Sequence, residues 1–485
     1  MEHQPSAPAA SDDAASVAVV PTSTTAAPNA DASAIAALQP RWKQSPLDRL
    51  DLMRAMFLGM YTGQIIVYAF GSVLYSSKGL GASSIGWLSA MTPLSVLVVV
   101  PPVAYVVEVY DLQQPFLLGG IVIGAITVTI MCWSMNQAAV VAAAVIHTIA
   151  VAPVPPLADE HAMGVIGPER RESYGAFRCW GAYGWATAAV VMSLLVDAGG
   201  WRWATLVWYL GFGLAAFSIY QTPVKKVTGE HRMIDVAKYV LKHPRIVLWL
   251  FAMSCIGLGY SLIGTFLFLF LESLEAPKIL LGLSIVFTVL VEIPLFQNSK
   301  KLHSKLSNRA LLLCAVAGWV VRVIGYSLLQ NPWYVLFLEP LHGITFGFMW
   351  LSGINFFSNA FPPQLSNSAI GLLHATSFGV GPTIGNIVGG YAYEGLGPRA
   401  MFQVAAMAML VVGVLFYLLD VRLDHWDKLG QRDTDEVGVG ATASDNRSFP
   451  PLTPRPSMQC ESERHEDSHH DLQASADHHG PPTVA

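Results

Sequence analysis

A chain of 485 residues that is 53% hydrophobic and only 13% charged carries too little charge for a soluble domain, where about a quarter of residues are charged. Its formal net charge of −5 offers no basic surface on which to argue nucleic-acid binding. Composition therefore predicts an all-α membrane protein that crosses a bilayer many times.

Residues 1–45 are rich in Ala, Ser, Pro and Thr and lack the basic start and apolar core of a signal peptide. They hold too few apolar residues to fold alone and read as a disordered cytoplasmic tail. Twelve apolar stretches follow, at 51–75, 84–107, 115–135, 138–158, 174–197, 201–221, 246–272, 279–299, 309–329, 333–358, 367–392 and 400–420. Each approaches the roughly 20 residues that a helix needs to span hydrocarbon. The long polar connector at 222–245 divides them into an N-terminal six-helix half, 46–221, and a C-terminal six-helix half, 246–424. The expected architecture is twelve transmembrane helices in two halves around a central cavity. Residues 425–485 read as a second disordered cytoplasmic tail. Its His465, His469, His470, His478 and His479 suit a solvated segment better than a metal site.

Lys and Arg cluster on alternate connections. One set holds Arg170, Arg171, Lys225, Lys226, Arg232, Lys238, Lys242, Arg245, Lys300, Lys301, Lys305 and Arg309, with Arg41, Lys43, Arg49 and Arg54 before the first span. The other holds Lys78, Arg202, Lys278 and Arg399. The asymmetry predicts that both termini are cytoplasmic. The plasma membrane is the first expectation for location and an organelle membrane the second. Of the five cysteines, Cys132, Cys179, Cys255 and Cys314 fall in apolar stretches and read as buried small residues, and Cys460 falls in the polar tail. Gly381, Gly385 and Gly389 recur every fourth residue on one helix face, and Gly175, Gly181 and Gly184 stand on another helix. Both predict close helix packing.

Two charged constellations interrupt the apolar pattern. The first is Asp159, Glu160, Arg178 and Trp185. A charge at mid-bilayer costs about 2.5–3.5 kcal/mol on the lenient insertion scale, so Arg178 needs a partner or water. Arg178 and Trp185 are seven apart and share a helix face. An arginine fork beside an indole, with an acid from the preceding helix, can bind hydroxyls and stack on a ring. A structural Arg–Asp pair is the competing reading. The second constellation is Glu292, Arg322, Glu339 and His342. Glu339 and His342 are three apart on one face, and an arginine that moves past an acid can release its proton. A buried ion-pair cluster is the alternative here. Tyr61, Gln64 and Tyr68 are weaker candidates for cavity lining. His147 and His374 read as hydrogen-bonded core residues, His161 as a residue near the membrane edge, and Asn355 and Asn386 as either cavity or staple.

The stretch YGAFRCWGAYGWATA, with Gly175, Arg178, Gly181, Gly184 and Trp185 in register, resembles the fifth helix of the lactose permease and related sugar and nucleoside proton symporters of the major facilitator superfamily. VVRVIGYS followed by LEPLHG resembles the ninth and tenth helices. The resemblance implies that Arg178 binds substrate hydroxyls, that Trp185 stacks on a sugar ring, and that Glu160, or Asp159 in its place, is the fourth-helix acid. It makes Arg322 and His342 members of a proton site. The chain departs at Thr345, where the group has its proton-carrying glutamate, and at Glu339, where it has a lysine. Glu108 and Asp111 stand without a basic neighbour in the loop after the second helix, whereas QNSKKLHSKLSNR keeps the corresponding later loop.

The expected function is secondary transport of a small polar solute by alternating access, coupled to protons, with a sugar or glycoside first and a nucleoside second. An uncoupled uniporter and a receptor or scaffold on a transporter fold are the alternatives. No nucleophile arrangement, metal spacing or phosphate loop points to an enzyme, a cofactor or a metal. The expected partners are the solute, protons and the lipid bilayer, and the expected state is a monomer.

Overall fold

In the computed structural model, residues 48–167, 174–223, 233–362 and 365–437 are described. The first tail, most of the second, Arg170, Arg171, Lys225, Lys226 and Arg232 lie outside them. The described residues are helical almost throughout. In chain order the helices are α1 Arg49–Tyr68, α2 Gly71–Ser77, α3 Ala82–Val98, α4 Val100–Tyr110, α5 Gln113–Trp133, α6 Gln137–Val151, α7 Val154–Ile166, α8 Tyr174–Gly199, α9 Trp201–Gln221 and α10 Met233–Lys242. Then come α11 Pro244–Ser273, α12 Lys278–Gln297, α13 Ser299–Lys305, α14 Asn308–Ser327, α15 Val335–Leu338, α16 Pro340–Ala360, α17 Ser366–His374, α18 Gly381–Leu396 and α19 Pro398–Val437.

The starts follow local chemistry. Asp48 accepts from the first N–H of α1, Asn136 caps α6 and Ser307 caps α14, each satisfying amides that a helix leaves unpaired. The bends follow proline and glycine. The chain turns by 42° between α1 and α2, next to Gly71, and by 45° between α3 and α4, where Pro101 and Pro102 begin the second piece. Gly200 and Gly397, at φ 73° and 79°, reverse the chain between consecutive spans in a backbone region that favours glycine.

Nine helices among the described residues are long and apolar enough to cross a membrane, and eleven if each bent pair is one span. Their positions match the sequence reading. The remaining stretch, Ser366–Leu396, is split by a π-helical turn at Ala375–Val380 into pieces of 9 and 16 residues. Asp159 and Glu160 lie within α7, which prolongs the span Gln137–Ile166. The connector 222–245 contains α10, which packs Val236, Tyr239 and Val240 inward.

The outer skin is apolar. Val122, Leu210, Phe337, Val388 and Leu418 are all exposed, an apolar surface of the kind that a bilayer covers. Cys179 and Cys314 are exposed and not buried as expected, Cys255 is half-buried and Cys132 is buried. The helices before residue 223 pack chiefly on one another (α1 with α8 and α9, α5 with α6 and α9), as do those after 233 (α11 with α18, α14 with α16 and α19). Gly381 and Gly385 sit against α11, where an added Cβ would stand 2.1 Å from the Ser254 carbonyl and 2.2 Å from the Ser261 hydroxyl. The two groups meet along α3–α18 and α8–α12. Their contacts gather at one end, where the Trp87 indole donates to the Tyr391 hydroxyl (3.2 Å), the Ser83 amide donates to Glu394 (3.1 Å) and Phe70 meets Phe268.

Candidate solute-binding site

Arg178 is carried by the second turn of α8, and the position of α8 is set by a glycine. A Cβ on Gly184 would lie 2.3 Å from the Leu58 carbonyl of α1, so the two backbones touch and bring Arg178 beside Tyr61. The guanidinium lies 5.5 Å from the Tyr61 ring centroid. Its Nε donates to Asp159 of α7 at 3.4 Å, with side-chain exposures of 45% and 32%. Trp180 and Tyr183 are exposed on the outer side of α8, whereas Trp185 is half-buried and packs against the core.

Arg178 is exposed beside charged groups of the second group of helices. Charged groups from the other half of the chain act on it. Glu292 of α12 and His374 at the end of α17 both lie within electrostatic range of Arg178, and His374 also feels Asp159. His374 is exposed, with its ring 4.5 Å from Trp350 and 5.4 Å from Phe378. Arg178, Asp159, Glu292 and His374 are thus drawn together from both groups of helices, and the exposed Arg178 and His374 mark a candidate cleft there. Glu292 makes no hydrogen bond or ion pair among the described residues. Glu160 is exposed one position round the helix from Asp159, and Asp159 is the acid that meets the arginine.

The second constellation is different in kind. Arg322 and Glu339 are 2.9 Å apart, with side-chain exposures of 2% and 5%. Glu339 also accepts from the Tyr326 hydroxyl at 2.7 Å and the Thr288 hydroxyl at 2.9 Å. Arg322 Nη1 donates to His342 Nδ1 at 2.6 Å. A guanidinium has no acceptor, so Nδ1 is the bare nitrogen of that ring. Glu292 is not bonded into this cluster. It lies within electrostatic range of Tyr260, which packs on His342, as well as of Arg178. Thr345, where the permeases have an acid, is buried and gives its hydroxyl to the His342 carbonyl.

A family model described as the MFS_1 like family matches residues 53–404. The chain belongs to the MFS_1 like family. Maltose permease of Geobacillus stearothermophilus is similar at 22% identity over 368 residues, covering 73% of this chain and 92% of the permease. Major facilitator superfamily domain-containing protein 6-like protein B of Xenopus laevis is 24% identical over 226 residues, covering 46% of this chain and 37% of that protein, so the match spans well under half of that relative. Among solved structures, nucleoside transporter NupG superposes with a TM-score of 0.66 at 17% identity, covering 76% of this chain and 98% of that one. A bacterial homologue of the human lysosomal transporter Spinster, inward-facing and unoccupied, gives 0.55 at 12% identity, covering 79% and 98%. At these identities the likeness is one of fold.

The other residues singled out in the sequence of this MFS_1 like chain are placed only in part as expected. His374, read as core, opens on the cleft. A histidine inside an apolar stretch gives no sign of which side it faces, and only the π-helical turn after it marks the spot. Trp350 and Phe378 beside it read as ordinary apolar residues. Tyr61 is in the site, Gln64 is buried and Tyr68 is exposed. His161 is buried, with Nε2 3.0 Å from the Thr222 hydroxyl. His147 is a core residue 3.0 Å from Thr127. Asn386 accepts from Thr265 at 2.7 Å and Asn355 donates to Asn308 at 2.9 Å, so both are staples. No group of three His, Cys, Asp or Glu that could hold a metal occurs among the described residues.

Proposed function

We propose that this protein is a secondary transporter that moves a small, hydroxyl-rich solute through the Arg178 cleft by alternating access. A sugar or glycoside is the first substrate class and a nucleoside the second. The observation that carries the reading is the Arg178–Asp159 pair: long, open to the cleft and faced by Glu292 and His374 from the other half. An exposed ion pair contributes about 0–1 kcal/mol, so a solute hydroxyl can replace either partner at little cost. Arg178 and Asp159 hydrogen-bond the solute. Trp185 and Trp350 offer ring faces to its apolar side. Binding between the halves lets closure of one end and opening of the other pass the solute across. The maltose and nucleoside transporters named above support these classes. The Lys and Arg asymmetry supports cytoplasmic termini and, with them, an outward position for the joined end of the bundle.

Proton coupling, on this reading, belongs to Glu292. Glu339 already accepts three donors and serves Arg322, whereas Glu292 is free to trade a proton for a solute hydroxyl or for Arg178. An uncoupled uniporter is the second reading, favoured by the saturated Arg322–Glu339 pair and by Thr345. The test is uptake of radiolabelled maltose and uridine by the full chain in liposomes, with and without an imposed pH gradient. Wild type accumulates one of them, Arg178→Ala does not, and Glu292→Gln loses the acceleration by acid while keeping exchange. Equal uptake by Arg178→Ala and wild type discards the site. Uptake indifferent to pH selects the uniporter.

A further inference from the structure

A groove of about 500 Å³ lies on the outer wall, between the start of α11 and the end of the membrane part of α19, away from the Arg178 cleft. Val247, Leu248 and Phe251 form one side and Leu419 and Leu423 the other, with Arg422 at the rim. Arg422 is exposed and makes no hydrogen bond or ion pair among the described residues. It stands at the end of the apolar stretch Pro398–His425, three residues before its last residue. The acids beside it are already committed. Asp420 is held by Arg245 and Arg309, and Asp424 by the same two arginines.

A second observation points the same way. Helix α10 ends next to this groove, since α11 begins at Pro244. One face of α10 is buried through Val236, Tyr239 and Val240, and the Tyr239 hydroxyl donates to the Ala360 carbonyl at 3.2 Å. The other face presents Lys238, Leu241 and Lys242, with Leu241 82% exposed. A leucine between two lysines on an outward face is the pattern of a helix lying at a membrane surface.

We propose that the α11–α19 groove is a binding site for an acidic glycerophospholipid. An acyl chain fills the cleft between Phe251 and Leu419, and the phosphate accepts from Arg422. At the end of the span, where a headgroup can reach, a phosphodiester supplies the bidentate acceptor that no carboxylate among the described residues gives Arg422. Lys238 and Lys242 add attraction to the same leaflet. The site rests on the membrane setting alone and stands whether or not the solute reading holds.

The test uses the purified full chain in detergent, titrated with phosphatidylglycerol, phosphatidylcholine or inorganic phosphate, with bound lipid counted by native mass spectrometry and Tm measured in parallel. Wild type retains phosphatidylglycerol saturably and gains Tm over phosphatidylcholine. Arg422→Gln binds it about fivefold more weakly, the loss expected for one basic contact, and Arg422→Lys keeps most of the affinity. Val247→Trp, which fills the groove, weakens binding without touching charge; if that variant does not fold, the two Arg422 variants decide. The proposal is overturned if phosphatidylglycerol and phosphatidylcholine are retained equally, if Arg422→Gln binds as wild type does, or if inorganic phosphate alone raises Tm to the same extent.

Discussion

Arg178 and Arg322 are the same group on two apolar helices, and their surroundings give them opposite duties. Arg322 is dry and faces a carboxylate that three donors surround. Removing one partner of such a pair leaves a buried charge and costs about 3–5 kcal/mol, while replacing both by apolar groups is often neutral. Glu339→Gln is therefore expected to lower Tm sharply, and Arg322→Met with Glu339→Leu to recover most of it in a thermal melt. A double variant as unstable as the single one would mean that the ion pair itself holds the helices. Arg178 carries no such load: Arg178→Ala should leave Tm nearly unchanged and act on binding. Sequence located both arginines, because a charge in an apolar run is conspicuous. It could not pair them with acids. Asp159 and Glu160 are adjacent and differ only by a turn of about 100° round α7, and which of them meets Arg178 depends on how α7 sits against α8.

At the scale of the element, glycine sets the helix separations that hold these residues in place. Gly184 brings α8 onto α1, and Gly381 and Gly385 bring α18 onto α11. Over-packing a tight contact costs about 1–3 kcal/mol. Gly184→Val is expected to lower Tm and also to weaken solute binding, since it displaces the helix that carries Arg178. Gly213→Ala, on a helix position with nothing within 4 Å, should be neutral in both assays. Wild-type behaviour of Gly184→Val would show that α8 and α1 are not in contact there. The four-residue glycine repeat made this packing legible from sequence. The bends were legible only in part: Pro101 and Pro102 announce one, and Pro382, which lacks an N–H, follows the π-helical turn at Ala375–Val380, but a proline does not say that the turn before it takes the π form.

Across the whole molecule, the two groups of helices are joined at one end by Trp87–Tyr391 and Ser83–Glu394, while Arg178 and His374, one from each group, are left exposed. A protein that alternates its opening must part that seam. Cysteines introduced at Trp87 and Tyr391 and joined through disulfides by a short bis-methanethiosulfonate reagent are expected to stop liposome uptake, with recovery on reduction and no comparable effect on wild type. Undiminished uptake after cross-linking would mean that the seam stays shut during transport.

The sequence by itself determined the helices, their order and their membrane setting, because a bilayer leaves the backbone no alternative to internal hydrogen bonding and each span must reach a minimum apolar length. It also exposed the intramembrane charges, since those break the apolar pattern. Which charges face one another was decided only by tertiary structure. Glu292 and Arg178 are 114 residues apart, on helices from opposite halves. Helical periodicity states which residues share a face but not which helix that face meets. The meeting of α8 with α12, and the turn that swings His374 into the cleft, arise from the packing of all the helices together.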